Sequence, residues 1–374
     1  MKDKIIKLKK IFQNLFKKIF QYMFIIIYGK IKLLDDNHKN FFKTNKIDKI
    51  NINGKNYEVE KNVYEIENAR VYTDLVEHVA IIKDNFIIPK ISYQQINSEL
   101  KDSSCNRVLI SGTNRFKKKI KGNILSLLQG SSGNNYFHFL FDIIPKIILL
   151  EKKNLLKDIN LFLLPNIKDW QKTILSSFGI GEKQLLNSNT NRHVEAEKIY
   201  AVDHPWYMKG FVNYEIKNIP EWVVFSLREK FLNYSKKIPV AEKIFIDRSD
   251  SIYNHCKLTN NREIIDFLNE NNFKSYQVSK LNFFEQIYLF KNAKIIIGPH
   301  GAAFSNIIFS NPGLKIIELI PKNHPSIKCK KFSDLLGFEY TRVNLDLINN
   351  QNKDKAGDMK ISIPQLSEIL KNVL

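Results

Sequence analysis

Two stretches of this chain carry residues whose types and spacing suit chemistry. In Asn134-Asn135-Tyr136-Phe137-His138-Phe139-Leu140-Phe141-Asp142-Ile143-Ile144-Pro145, a histidine and an aspartate stand four residues apart. On a helix they share a face. A carboxylate beside an imidazole can orient it and favour its proton-accepting role, which is what activation of a hydroxyl requires. The same pair also suits a purely structural role. In Ile295-Ile296-Ile297-Gly298-Pro299-His300-Gly301-Ala302-Ala303, an apolar strand runs into a glycine-rich turn that opens a helix. Small residues admit a ligand close to the backbone, and the free N–H groups of the helix start suit a diphosphate. His300 can donate to a phosphate oxygen there. Read alone, the motif is equally a tight strand-to-helix turn with a surface histidine.

Two further residues fall at the same sheet edge. Ile244-Phe245-Ile246-Asp247-Arg248-Ser249 delivers an arginine whose planar fork fits a pyrophosphate. Pro312-Gly313-Leu314-Lys315-Ile316-Ile317-Glu318-Leu319-Ile320-Pro321 places Glu318 at the end of a neighbouring strand, where it can accept ribose hydroxyls or stand as a solvated strand end.

The elements that must position these residues read as α/β. Residues 37–53 are polar and read as a linker, and short β-type runs follow over 56–115. After them come the turn Gly130-Ser131-Ser132-Gly133, a helix over 135–155, a strand over 159–164, a helix over 170–178, a strand over 199–202 and a helix over 221–234. The segment 236–240 reads as a connector. Beyond it, strands near 244–246, 275–277, 295–297, 316–319 and 340–343 alternate with helices near 261–270, 283–291, 302–309 and 329–336. That alternation implies right-handed crossovers and a parallel, doubly wound sheet. A last helix, 364–373, can pack back on the first lobe. The chain thus divides into residues 1–36, 37–238 and 239–374.

The 374 residues are enough for two or three domains, and 44% hydrophobic content excludes wholesale disorder. The formal charge of +20 is spread along the chain with no nucleic-acid motif, so it points to anionic substrates and lipids and not to nucleic acid. The cysteines, Cys105, Cys256 and Cys329, are odd in number and far apart, which fits a reducing cytosol better than disulfides or zinc. In residues 1–34, Ile5, Leu8, Ile11, Phe12, Leu15, Phe16, Ile19, Phe20 and Met23 repeat at helical period, with lysines on the other face. The uncharged run 19–29 is too short to span a bilayer. A helix lying on an anionic leaflet is the expectation, with a helix packed on the protein itself as the alternative.

Taken together and in order, these motifs resemble glycosyltransferase family 61. Asn135 to Lys146 follows the family's N-Y-Y-H-W-L-F-D-x-L-P-R, and Ile246-Asp247-Arg248 its I-x-R strand. Lys257, Asn260 and Glu263 stand in the next segment, and Leu281 to Ala293 matches L-S-F-x-E-Q-x-x-L-F-x-x-A. Gly298 to Asn306 and Pro312 to Pro321 match G-x-H-G-A-x-x-x-N and P-G-x-x-x-x-E-x-x-P. Departures are Lys146 and Lys257 for arginines and Asn261 for a glutamate. The resemblance implies a GT-B-like fold of two Rossmann-like lobes with parallel sheets facing a cleft, and an inverting transfer from a nucleotide-sugar, usually UDP-linked. It implies a glycan or glycolipid acceptor, in cell-surface polysaccharide biosynthesis at the inner face of the membrane. Donor binding falls to Arg248, Gly298, His300, Gly301, Ala302, Asn306 and Glu318. His138 is the favoured base, with Asp142 as its orienter or as the base itself. No Asp-x-Asp occurs in the chain, so neither a metal nor another cofactor is expected. The competing readings are a non-catalytic binder of anionic glycans or lipids and a nucleotide-sugar epimerase.

Overall fold

The computed structural model describes residues 2–35, 41–73, 78–128, 133–207, 209–251, 256–348 and 357–373, with side chains from residue 12 onward. It is mixed α/β and divides into two compact units, one of residues 1–51 and 56–212, the other of 52–55 and 213–374. The boundary falls earlier than the 236–240 connector. The helix Glu221–Phe231 belongs to the second unit because Phe231 packs edge-on against Phe283, ring centroids 4.9 Å apart.

The first unit is built on a twelve-stranded sheet. Strand His193–Val202 is its hinge of direction: it runs parallel to Lys118–Ser126 on one side and antiparallel to Lys55–Thr73 on the other. The parallel part continues through Leu161–Leu164 and Leu185–Asn187. The antiparallel part is a meander through His78–Lys83, Tyr93–Ile96 and Glu99–Lys101. The first lobe, expected as a Rossmann-like lobe with a parallel sheet, is therefore parallel only in part. The cause is legible in the turns. Asn53-Gly54, Asp84-Asn85 and Asn97-Ser98 all take positive φ at both positions, the two-residue hairpin geometry that folds a strand directly back on its neighbour. The expected linker is corrected too: residues 43–52 form a strand whose Ile47, Ile50 and Ile52 are buried. Residues 37–40 of that linker and 130–132 of the expected turn lie outside the described residues.

Residues Lys2–Tyr28 form one helix. Its last turns dock on the first unit: Phe24 is buried against Phe116, and the Tyr28 hydroxyl accepts the Lys117 N–H at 3.0 Å. Farther toward the N-terminus Phe12, Leu15, Phe16 and Ile19 are all more than half exposed. No described helix is long and apolar enough to cross a membrane.

The second unit is a five-stranded, wholly parallel sheet in the order Lys274–Tyr276, Lys243–Ile246, Ile295–Pro299, Lys315–Pro321, Glu339–Leu345. Each expected strand is present. So are the helices Asn261–Glu270, Phe283–Asn292 and Lys328–Leu336, while Ala302–Phe309 winds as a 3₁₀ helix. The last helix, Ile363–Val373, belongs to this unit and not to the first: Leu366 and Leu370 join the core of Phe245, Ile264 and Leu268.

Candidate active site

Helix start, turn type and a distant indole together build the first cluster, all within the first unit. The Asn135 side-chain oxygen accepts the N–H groups of Phe137 and His138, at 3.0 and 3.4 Å, and opens the helical stretch. Pro145 has no N–H to give the carbonyl four residues back. The chain answers with a π turn over Phe139–Ile143, in which the Ile144 N–H reaches the Phe139 carbonyl, before regular helix resumes over Ile144–Lys152. Such turns widen a helix locally and recur at functional sites.

Across this turn, His138 Nδ1 lies 2.8 Å from Asp142 Oδ2. The other carboxylate oxygen accepts the Trp206 indole N–H, also at 2.8 Å. A carboxylate accepts only, so Nδ1 carries the imidazole proton and Nε2 keeps its lone pair. Asp142 is 1% exposed and has both oxygens engaged, whereas His138 retains 7%. The geometry therefore suits His138 as the proton acceptor and Asp142 as its orienter, the relation that fixes tautomer and direction in acyl-transfer triads.

Two more groups surround the carboxylate. His204 Nδ1 accepts the N–H groups of Trp206 and Tyr207, at 3.3 and 3.2 Å, so its proton sits on Nε2, 3.9 Å from Asp142 Oδ2. Burial, then the cation of Lys146, holds His204 neutral. Burial likewise lowers the Lys146 ammonium to about 8, against the pull of Asp142 and Asp203. His204 and Trp206 had no local signal, because they stand more than sixty residues from Asp142 in the chain.

In the second unit, the strand order reverses between Lys243–Ile246 and Ile295–Pro299, and ligands of open parallel sheets bind at the carboxyl ends of strands flanking such a switch. Arg248 and the Gly298–Gly301 loop occupy that place. Asp247 ties the arginine's loop down. It accepts the Ser249 N–H and hydroxyl at 2.9 and 2.8 Å, Asn261 Nδ2 at 2.9 Å and Gln277 Nε2 at 3.1 Å. Arg248 Nη2 reaches the Ser251 hydroxyl at 3.2 Å, but Nη1 is buried with no hydrogen-bond partner among the described residues. The guanidinium lies directly over Gly301, where a Cβ would come 2.6 Å from Cζ. Gly298 is required for a different reason: a Cβ there would meet Ile246 Cβ at 2.8 Å. From behind, the buried Lys328 ammonium donates to the Gly301 carbonyl at 2.8 Å. The sequence reading did not single out Lys328.

His300 and Glu318 form one buried unit. His300 Nδ1 is 2.6 Å from Glu318 Oε1, which Cys329 Sγ also approaches at 3.1 Å, and the Tyr340 hydroxyl donates to Oε2 at 2.7 Å. Glu318 is 1% exposed, with its oxygens engaged by His300, Cys329 and Tyr340. Burial, then Lys328 and Arg248, lowers His300 against the pull of Glu318. With its proton on Nδ1, neutral His300 presents Nε2 as an acceptor, and donates to phosphate only after taking a second proton. Asn306 is fully buried and donates to Gln286 Oε1 at 2.9 Å, which anchors the helix Phe283–Asn292. Ala302 begins the 3₁₀ helix beside Gly301. Among the described residues no group of three His, Cys, Asp or Glu is placed to hold a metal.

Burial raises Glu318, but His300, Tyr340 and Cys329 outweigh it and bring the carboxyl from its ordinary 4.5 to about 2. The folded value is the depressed one, so this contribution is fully present above pH 4.5 and disappears as pH falls toward 2. Glu318→Gln is accordingly expected to lower stability at neutral pH, with variant and parent converging over that acid window. Urea midpoints across pH measure it, and a gap that stays constant with pH would contradict the assignment.

A family model described as Glycosyltransferase 61 matches residues 136–317. The match begins in the His138 turn and ends one residue before Glu318. No curated protein matches the chain.

Proposed function

We propose that this chain, which is a glycosyltransferase with a family 61 domain over residues 136–317, moves a sugar from a UDP-linked donor to a hydroxyl of a glycan or glycolipid, with inversion and without a metal. The observation that carries the donor half is Arg248 Nη1, a buried cationic donor with no hydrogen-bond partner among the described residues, over a glycine at the sheet's switch point. A diphosphate oxygen supplies the missing acceptor. Arg248, the Gly301–Ala302 backbone and Lys328 behind it then meet the charge that builds on the departing phosphate, as preorganised groups do elsewhere. The acceptor half falls to the first unit. The acceptor oxygen attacks the anomeric carbon, its proton passes to His138 Nε2, and the C–O bond to the β-phosphate breaks with its electron pair on UDP. Asp142, held by Trp206, steadies the imidazolium that forms. The two α/β units are read as the lobes of a GT-B arrangement, and the helix Lys2–Tyr28 as a peripheral anchor at an anionic, cytoplasmic membrane face in polysaccharide biosynthesis. Epimerase and non-catalytic readings give way to the transferase assignment.

A panel of nucleotide-sugars in thermal-shift titrations tests the donor class. A donor at about 100 times its Kd stabilises the fold by roughly 2.7 kcal/mol, so the UDP-linked compounds are expected to raise Tm and others not. Activity is expected to survive EDTA. Loss on chelation that manganese restores would overturn the metal-free part of the reading.

A further inference from the structure

The parallel strands Lys118–Ser126, Leu161–Leu164 and Leu185–Asn187 of the first unit lie side by side and end at one edge of its sheet. Ligands of parallel sheets bind beyond such carboxyl ends. Beyond each of these strands stands an asparagine, and the side chains are joined in a row. Asn166 Nδ2 donates to Asn134 Oδ1 at 3.2 Å, and Asn189 Nδ2 donates to Asn166 Oδ1. Gly133 permits the first join: a Cβ there would come 2.9 Å from Pro165 Cγ and 3.1 Å from Asn166 Nδ2. The row ends in a donor and an acceptor, because Asn134 Nδ2 and Asn189 Oδ1 make no hydrogen bond among the described residues.

An aromatic pair stands beside the row. Trp170, at the start of the helix Asp169–Ser176, has its ring centroid 5.1 Å from that of buried Phe139 and 5.7 Å from that of Tyr136. Trp170 and Tyr136 are half-buried, whereas the other two tryptophans, Trp206 and Trp222, are 5% and 1% exposed. Flat rings cover the C–H face of a sugar, and each amide offers a hydroxyl both a donor and an acceptor. These amide and aromatic side chains carry no charge, so they suit hydroxyls better than a phosphate or a carboxylate.

The aromatic pair and the base stand on different flanks of one helix start. Tyr136 faces Trp170. His138, two residues on and about 200° around the helix, faces Asp142, which holds Trp206. A helix with its side chains is about 10–12 Å across, wider than one sugar ring. We infer that the acceptor is an oligosaccharide of at least two units, which offers a hydroxyl of its last unit to His138 and lays the units behind it over Asn134 toward Trp170, Asn166 and Asn189. The inference rests on the reading of His138 as the acceptor-side base, and it adds the class of acceptor and a subsite for it.

Ligand-observed NMR with the full chain tests it by comparing glucose, mannose and N-acetylglucosamine with maltotetraose, cellotetraose, mannotetraose and chitotetraose. At least one tetrasaccharide is expected to bind about tenfold more tightly than its monosaccharide, the worth of one or two added contacts. Trp170→Ala is expected to remove that advantage. Because the indole also packs on Phe139, Asn134→Ala with Asn189→Ala supplies a second measurement. Both asparagines are exposed, and the same loss at unchanged Tm is expected. Equal affinity for monosaccharide and tetrasaccharide in every series would overturn the subsite, as would tetrasaccharide binding undiminished in the asparagine pair. The reading of His138 fails separately. Normal turnover in His138→Ala, with tetrasaccharide binding lost in the asparagine pair, would overturn the base and leave the subsite standing.

Discussion

His138→Ala is expected to lower turnover by about 10²–10⁴, the usual contribution of a positioned base, while donor affinity and Tm stay close to the parent's. An acceptor hydroxyl is a poor nucleophile until its proton has somewhere to go, and Nε2 of His138 is the lone pair that the Asp142 contact leaves free. Asp142→Asn is expected to cost less. The amide can still touch the imidazole, but it can present a donor where a carboxylate presents only acceptors, so the tautomer with the lone pair on Nε2 is no longer enforced. Trp206→Phe supplies a third measurement: it removes the indole N–H from Oδ1 without touching His138. A smaller fall in kcat, with KM for the donor unchanged, is expected. If Asp142 itself were the base, the order of the first two variants would reverse. If the cluster were only structural, turnover would follow Tm in all three. Turnover measured at saturating donor, with Tm on the same samples, decides between these outcomes.

The residues of that experiment differ in how visible they are from the chain alone. His138 and Asp142 announce themselves because helical spacing brings i and i+4 together. Trp206 and His204 do not, since only the tertiary fold brings residues 204–206 to the turn over 139–143. The π turn itself had a local cause, Pro145, whose effect on hydrogen-bond register is readable only once the flanking stretch is known to be helical. In the second unit, strands and helices alternate so regularly that every strand was legible, and with them the carboxyl edge that carries Arg248 and His300. The role of Glu318 was not, because Cys329 and Tyr340, which help fill its oxygens, come from the next helix and strand. The first unit shows a signal that was present and misread. Asn53-Gly54, flanked by Ile50, Ile52, Tyr57 and Val59, is a strong short-range hairpin sequence, but the lysines and asparagines of 43–52 masked the alternation. Asp84-Asn85 and Asn97-Ser98 repeat the device without glycine, which is why their turn type becomes evident only from φ.

Arg248→Met is expected to act in opposite directions on stability and on donor binding. In the free protein the guanidinium is mostly buried, one of its nitrogens has no hydrogen-bond partner among the described residues, and burial lowers its pKa. A buried guanidinium with incomplete hydrogen bonding is a cost to the fold, and an apolar side chain of similar length relieves it. The variant should therefore unfold at an equal or higher temperature than the parent when no donor is present. With UDP the order reverses. Each charge-assisted hydrogen bond lost to the diphosphate removes roughly 1.5–3 kcal/mol, or about 10–150-fold in affinity. Gly301→Ala reaches the same end by another route: its Cβ would lie 2.6 Å from Cζ of Arg248, so the guanidinium must leave its place while its charge remains. Because Gly301 has an extended backbone, φ 175°, alanine brings no backbone strain of its own, and weakened UDP binding there reports the displaced arginine. Isothermal titration with UDP and thermal unfolding of the two variants measure both halves. A drop in Tm for Arg248→Met with UDP affinity retained would assign Arg248 to the fold and not to the donor.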